Sequence, residues 1–127
     1  MRLLVDSHAL LWHVLDDPRL TAVPTATIEA DDAEVLVSVA SLWEIAIKSA
    51  LGKLEVPDDL PQRVKELGFE LLGVTAEHAW AVRHLPHHHR DPFDRLLIAQ
   101  AQVERLPILT ADPVFDAYDV TVLWGSG

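Results

Sequence analysis

A short apolar run, "RLLV" (residues 2–5), stops at an aspartate, and a helical pattern begins at once in "SHALLWHVLDD" (7–17). A run this brief, apolar at consecutive positions, marks a strand buried on both faces, as in a parallel sheet. In the segment after it, Leu10, Leu11, Val14 and Leu15 fall on one face of a helix. The same alternation recurs along the chain. "PTATIEADD" (24–32) predicts a second helix, "EVLVSV" (34–39) a second strand, and "ASLWEIAIKSALG" (40–52) a helix that stops at Gly52. "DDLPQRVKELG" (58–68) predicts another helix with a glycine stop, and "FELLGV" (69–74) a short strand. "AEHAWAVRHL" (76–85) and "PFDRLLIAQAQVERL" (92–106) predict helices. "PILTA" (107–111) is a strand, 113–118 a turn or short helix, and "VTVLW" (120–124) a final strand. Strands alternating with helices predict an α/β domain with a mostly parallel central sheet.

In such sheets ligands bind beyond the carboxyl ends of the strands. Acids occupy those ends here. Asp6 closes the first strand and Asp112 follows "ILTA". Glu44 lies in the first turns of the helix after "EVLVSV", and Asp91 and Asp94 open the helix that leads into "PILTA". Carboxylates are hard oxygen ligands, suited to Mg²⁺ or Mn²⁺, and such ions can activate water and stabilise the leaving oxygen of a phosphodiester. Each acid also has a plain structural explanation. "DPFD" puts Asp91 at an N-cap, Pro92 at the first helical position and Asp94 in the first turn, and "DPVFD" repeats the logic for Asp112. "SLWE" (41–44) matches a capping box unless Ser41 already lies inside the helix, and Glu44 can pair with Lys48 one turn on. Asp6 is harder to explain away. A buried carboxylate after a strand is costly unless it is paired or metal-bound, and Ser7 is the next candidate to cap the helix.

Charge narrows the choice. Twenty acidic and ten basic residues give a net charge of −10, which disfavours non-specific nucleic-acid affinity and suits a basic partner or divalent cations. The 127 residues, half of them hydrophobic, predict one domain over 1–127, with no linker or repeat. The apolar N-terminal run lacks a small-residue cleavage site, and no stretch is long enough to predict a membrane span. The chain contains no cysteine. That fits a reducing compartment, and a cytoplasmic location is the expectation.

"LLVDSHALLW", "VSVASLWEIAIKSALGKL", "HRDPFDRLLIAQA" and "LTADPVFDAY" together resemble the PIN-domain family, in particular its VapC-type toxin ribonucleases. The strings occur in the same order and span residues 2 to 124. The resemblance implies a three-layer α/β/α sandwich and a Mg²⁺-dependent endoribonuclease, Mn²⁺ serving as an alternative ion. It implies that Asp6, Glu44, Asp94 and Asp112 are the catalytic, metal-binding acids, with Asp91 and Thr110 as auxiliaries. It also implies an RNA substrate, a homodimer, and a small antitoxin whose basic segment enters the acidic groove.

The run His87–His89 is longer than the single histidine common before "RDPFD". It reads as a solvated loop, or as a phosphate contact together with Arg90 and Arg95. Trp12, Trp43 and Trp80 read as core or dimer packing rather than as base-stacking platforms, and Trp124 as a cap on the sheet. Two other functions remain in view. One is a catalytically silent acidic interaction domain, which weak metal binding would favour. The other is a Mg²⁺-dependent phosphoacceptor domain, but "VTVLWGSG" lacks the lysine that such a site needs after its last strand. A haloacid-dehalogenase-type phosphatase would want a second aspartate at position 8, where this chain has His8.

Overall fold

Strand β1 (Arg2–Val5) lies at the centre of the five-stranded sheet, hydrogen-bonded on both edges. Its neighbours are β2 (Glu34–Ser38) on one side and β4 (Ile108–Leu109) on the other. β3 (Glu70–Leu72) lies outside β2, and β5 (Val122–Leu123) outside β4. The order is β3-β2-β1-β4-β5 with every pairing parallel. The computed structural model describes residues 1–124.

The two-residue period of a strand sorts these apolar side chains onto two faces. Leu3, Val5, Val35, Val37 and Leu109 enter one core, with Ala9, Leu10, Leu11, Ile28, Ile45, Leu60 and Val64. The latter seven come from α1 (Ser7–Val14), α2 (Ala22–Glu29), α3 (Val39–Ala50) and α4 (Leu60–Glu66). Leu4, Leu36 and Ile108 enter the other core, with Leu97, Ile98, Ala99 and Ala101 of α6 (Pro92–Glu104). Leu85, Leu106, Phe115 and Tyr118 complete it, and α5 (Ala76–Ala81) with its 3₁₀ extension Val82–His84 packs beside them. Consecutive apolar residues in β1 and β2 thus serve two cores, which is the expected three-layer α/β/α sandwich.

Several boundaries are shorter than their sequence patterns. The pattern over 76–85 resolves into α5 and a 3₁₀ turn, and 113–118 is a 3₁₀ helix over Pro113–Ala117. One open capping choice is decided and one capping expectation is corrected. Ser38 caps α3 by accepting from the Ala40 N–H at 3.1 Å, so Ser41 lies inside the helix and "SLWE" is not a capping box. Asp6, not Ser7, caps α1, accepting from the Ala9 N–H at 2.8 Å. Both follow from the same fact: the chain turns from strand to helix within a single residue. The core expectation holds in part for the tryptophans. Trp12 packs against the first core and meets Trp124 edge-on at 5.9 Å, whereas Trp43 and Trp80 are 62% and 68% exposed.

Candidate metal centre

The direction in which the chain leaves β1 reverses between β2 and β4, so a crevice opens at the carboxyl ends of β1 and β4. Asp6 lies at that point, 6% exposed. Thr110, directly after β4, donates its hydroxyl to Asp6 Oδ2 and accepts the Asp112 N–H at 3.1 Å. One buried hydroxyl therefore ties the first acid to the last. Asp112 caps the 3₁₀ helix through the Val114 N–H at 3.0 Å and is itself exposed. Burial pushes the Asp6 carboxyl above its usual range, and Asp112 adds to the push. The bonds from Thr110 and the Ala9 N–H oppose it, as does the nearby His8.

Glu44, also 6% exposed, reaches the crevice from α3. Its Oε1 accepts from Ser7 Oγ at 2.7 Å and its Oε2 from Lys48 Nζ at 3.1 Å. The Lys48 pair anticipated from helical spacing is present, but the serine next to Asp6 also holds this carboxylate at the crevice. Asp91 caps α6 through the N–H groups of Phe93 and Asp94, at 2.8 and 3.2 Å. Asp94, in the first turn, meets His89 Nε2 at 2.8 Å. Burial, with Asp91 and Glu44 nearby, raises the Asp94 carboxyl to about 6, while the bond from His89 opposes the shift.

Asp6, Ser7, His8, Glu44, Lys48, His89, Asp91, Asp94 and Asp112 together line one cleft of about 200 Å³. It is not the largest hollow. One of about 520 Å³, near Arg105 and Thr121, holds a single acid, Asp119. Concentrated like charge is what separates the small cleft from the larger one. All four anticipated acids and Asp91 reach it. Within it, His89, Asp91 and Asp94 place one ligand atom each within 4.8 Å of one another, the tightest such grouping among the described residues. The histidine was missed as a ligand-type donor in the sequence. Its signal was its place two residues before Asp91.

Arg95 requires a correction. It is 8% exposed and does not line the cleft. Its guanidinium donates to the carbonyls of Pro86 at 2.8 Å, Leu85 at 3.3 Å, and Val82 and His89 at 3.4 Å, and to the Tyr118 hydroxyl at 3.3 Å. A side chain spent on five acceptors is not a phosphate contact; it is a clamp on segment 82–89. Arg90 is exposed and keeps that option open.

A family model for the PIN domain matches residues 3–120. This chain belongs to the PIN-domain family. No curated protein sequence matches it. Among solved structures, a VapBC complex from Rickettsia felis bound to promoter DNA aligns with a TM-score of 0.72 at 12% identity, covering 97% of this chain and 98% of that one. A toxin–antitoxin complex from Klebsiella pneumoniae aligns at 0.67 with 17% identity, covering 95% of each chain. A structure of FitAcB from Neisseria gonorrhoeae aligns at 0.61 with 18% identity, covering 97% of this chain and 96% of that one. At these identities the likeness is one of fold, and it extends over nearly the whole of each chain. Among the described residues of this PIN domain, no helix is long and apolar enough to cross a membrane.

The donors of the PIN-domain cleft fit a divalent cation. Five carboxylates converge, two of them with carboxyl groups pushed upward by burial, and among the lysines and arginines only Lys48 lines the cleft. Buried carboxylates that resist ionisation are relieved by a bound metal ion, and oxygen-rich sets suit Mg²⁺ or Mn²⁺.

Proposed function

We propose that this PIN domain is the endoribonuclease toxin of a toxin–antitoxin pair and hydrolyses RNA phosphodiester bonds with the help of Mg²⁺ or Mn²⁺. The observation that carries the reading is the convergence of Asp6, Glu44, Asp91, Asp94 and Asp112 in one cleft at the carboxyl edge of the sheet. Asp6, Glu44 and Asp94 hold the ion, with Asp112 completing the site and Asp91 assisting. A divalent ion in that position supplies an activated water and neutralises charge building on the phosphate. Thr110 fixes the Asp6 carboxylate, and Ser7 and Lys48 fix Glu44, so these two donors are held in place. Arg90, exposed beside the cleft, contacts the substrate backbone.

The antitoxin partner is supported by the toxin–antitoxin complex from Klebsiella pneumoniae among the structural relatives. A basic segment of such a partner suits a chain of net charge −10 whose acids cluster in a cleft. Self-association is supported by α3. Val39, Trp43, Ile47 and Leu51 recur every fourth residue, all exposed, and form an apolar ridge at the surface.

The deciding experiment uses purified chain free of antitoxin, with single-stranded RNA and DNA oligonucleotides of matched sequence. Wild type should cut RNA in Mg²⁺ or Mn²⁺ and not in EDTA. Asp6→Asn keeps an acceptor for the Ala9 N–H but removes the charge. It should lower the rate by at least the roughly 10²–10³-fold that one stabilising group contributes. Undiminished cleavage by the folded variant would sink the assignment.

A further inference from the structure

We propose that His89 is a nitrogen donor to the metal of this cleft and that it tilts the site toward Mn²⁺ over Mg²⁺. The proposal rests on the metal-site reading above and adds to it a ligand that the acid pattern does not contain. His89 Nε2 lies 2.8 Å from Asp94 Oδ2, and Asp91 completes a trio of ligand atoms within 4.8 Å of one another. Donors around a six-coordinate ion with bonds of about 2.1 Å stand about 3 Å apart when adjacent and about 4.2 Å when opposite. The trio already has that scale, and small side-chain rotations bring it into register.

The placement is built rather than incidental. His89 sits on an irregular segment, where an unrestrained side chain would have many orientations. The buried Arg95 guanidinium grips that segment through the carbonyls of Val82, Leu85, Pro86 and His89 itself. Asp91, two residues on, is locked as the cap of α6, with Oδ1 occupied by the Phe93 and Asp94 N–H groups. That fixes the Asp91 carboxylate beside His89 and Asp94. The backbone on both sides of His89 is therefore fixed, and its imidazole has a defined direction. The rest of the histidine run does not share it. His88 packs edge-on against Tyr118 at 5.3 Å, and His87 is exposed.

The chemistry gives the consequence. Mg²⁺ is a hard ion that prefers oxygen and gives up water reluctantly. Imidazole favours first-row transition ions, among which Mn²⁺ also accepts carboxylates readily. Replacing one water or carboxylate by imidazole therefore costs Mg²⁺ more than Mn²⁺.

The test binds Mn²⁺ to the purified full chain and reads nitrogen coupling to the manganese by pulsed electron paramagnetic resonance. Wild type should show it, His89→Gln should lose it, and His8→Gln, which alters the other histidine lining the cleft, should keep it. The Mg²⁺ concentration needed to displace Mn²⁺ should fall in His89→Gln by at least the roughly 10-fold that even an outer-shell change costs a metal site. His89→Asp should shift the preference toward Mg²⁺ with no nitrogen signal. Mn²⁺ bound by wild type without nitrogen coupling, or coupling that survives in His89→Gln, overturns the role of His89 and leaves the metal reading intact. Failure of wild type to bind Mn²⁺ at all overturns both.

Discussion

The two halves of the cleft are made in different ways. On the sheet side, Asp6 and Thr110 extend directly from neighbouring parallel strands, and their hydrogen bond spans 104 positions of sequence. On the helix side, His89, Asp91 and Asp94 lie within six residues of one another, at a helix start held by a buried arginine. The first half is positioned by the sheet itself, the second by one side chain and a cap. The sheet half should therefore tolerate changes around it, whereas the helix half should depend on a single residue.

The largest test of that contrast is Arg95→Met. It keeps the stem and removes the clamp, leaving carbonyls of segment 82–89 without their donor. Unfolding in urea should show a loss of about 2–3 kcal/mol, the scale for stranding buried polar groups. Metal affinity should fall with it, because His89 loses its support. If stability drops and metal binding does not, the clamp serves the fold alone.

On the sheet side, Thr110→Val removes one hydroxyl that both donates to Asp6 and accepts from Asp112. A stability loss of about 1 kcal/mol is expected, with the fold retained. The sharper readout is pH. The Thr110 bond holds the Asp6 carboxyl down, so its loss lets burial push the group further up. Binding a metal requires the carboxylate, and metal-dependent cleavage in the variant should set in at higher pH than in wild type. An unmoved pH profile would show that Thr110 does not govern Asp6.

A smaller effect distinguishes Asp94 as a ligand from Asp94 as a helix-start ornament. Its carboxyl rises from 3.8 to about 6 on folding. A group raised in this way contributes stability that is fully present below the unfolded value and is lost as pH rises through the folded one. In EDTA, the wild-type melting temperature should therefore decline between about pH 4 and 7, by an amount tempered by partial solvation. Asp94→Asn should flatten this decline, melt a few degrees higher than wild type at pH 7.5, and lose most of the stabilisation that added Mn²⁺ confers on wild type. A lower melting point with a full response to Mn²⁺ would leave Asp94 as a favourable charge at a helix N-terminus and no more.

The contrast also explains what could be read in the sequence. β1 and its acid were legible because an unbroken apolar run needs two cores, and the residue that ends it must lie at the sheet edge. Asp91 and Pro92 were legible as a helix start because capping is local. Arg95 was misread because its carbonyl partners lie on a segment six to thirteen residues earlier, which folds over α6 only in the tertiary structure. On an irregular backbone, three consecutive histidines have no period, so nothing in the string says that His89 faces the acids while His88 meets Tyr118. That Ser41 lies inside the helix, the alternative the string left open, has a simpler origin. "SLWE" fits a capping box in isolation, but Ser38, at the end of β2, already meets the helix.

The bond between Thr110 and Asp6 has a consequence for how the molecule comes into being. A growing chain acquires β1 and α1 early, but their acid stands without its tie until synthesis has passed position 110 and β4 has slotted in beside β1. A half-made copy therefore carries Asp6 and Glu44 but not the cleft, which Asp91, Asp94 and Asp112 complete.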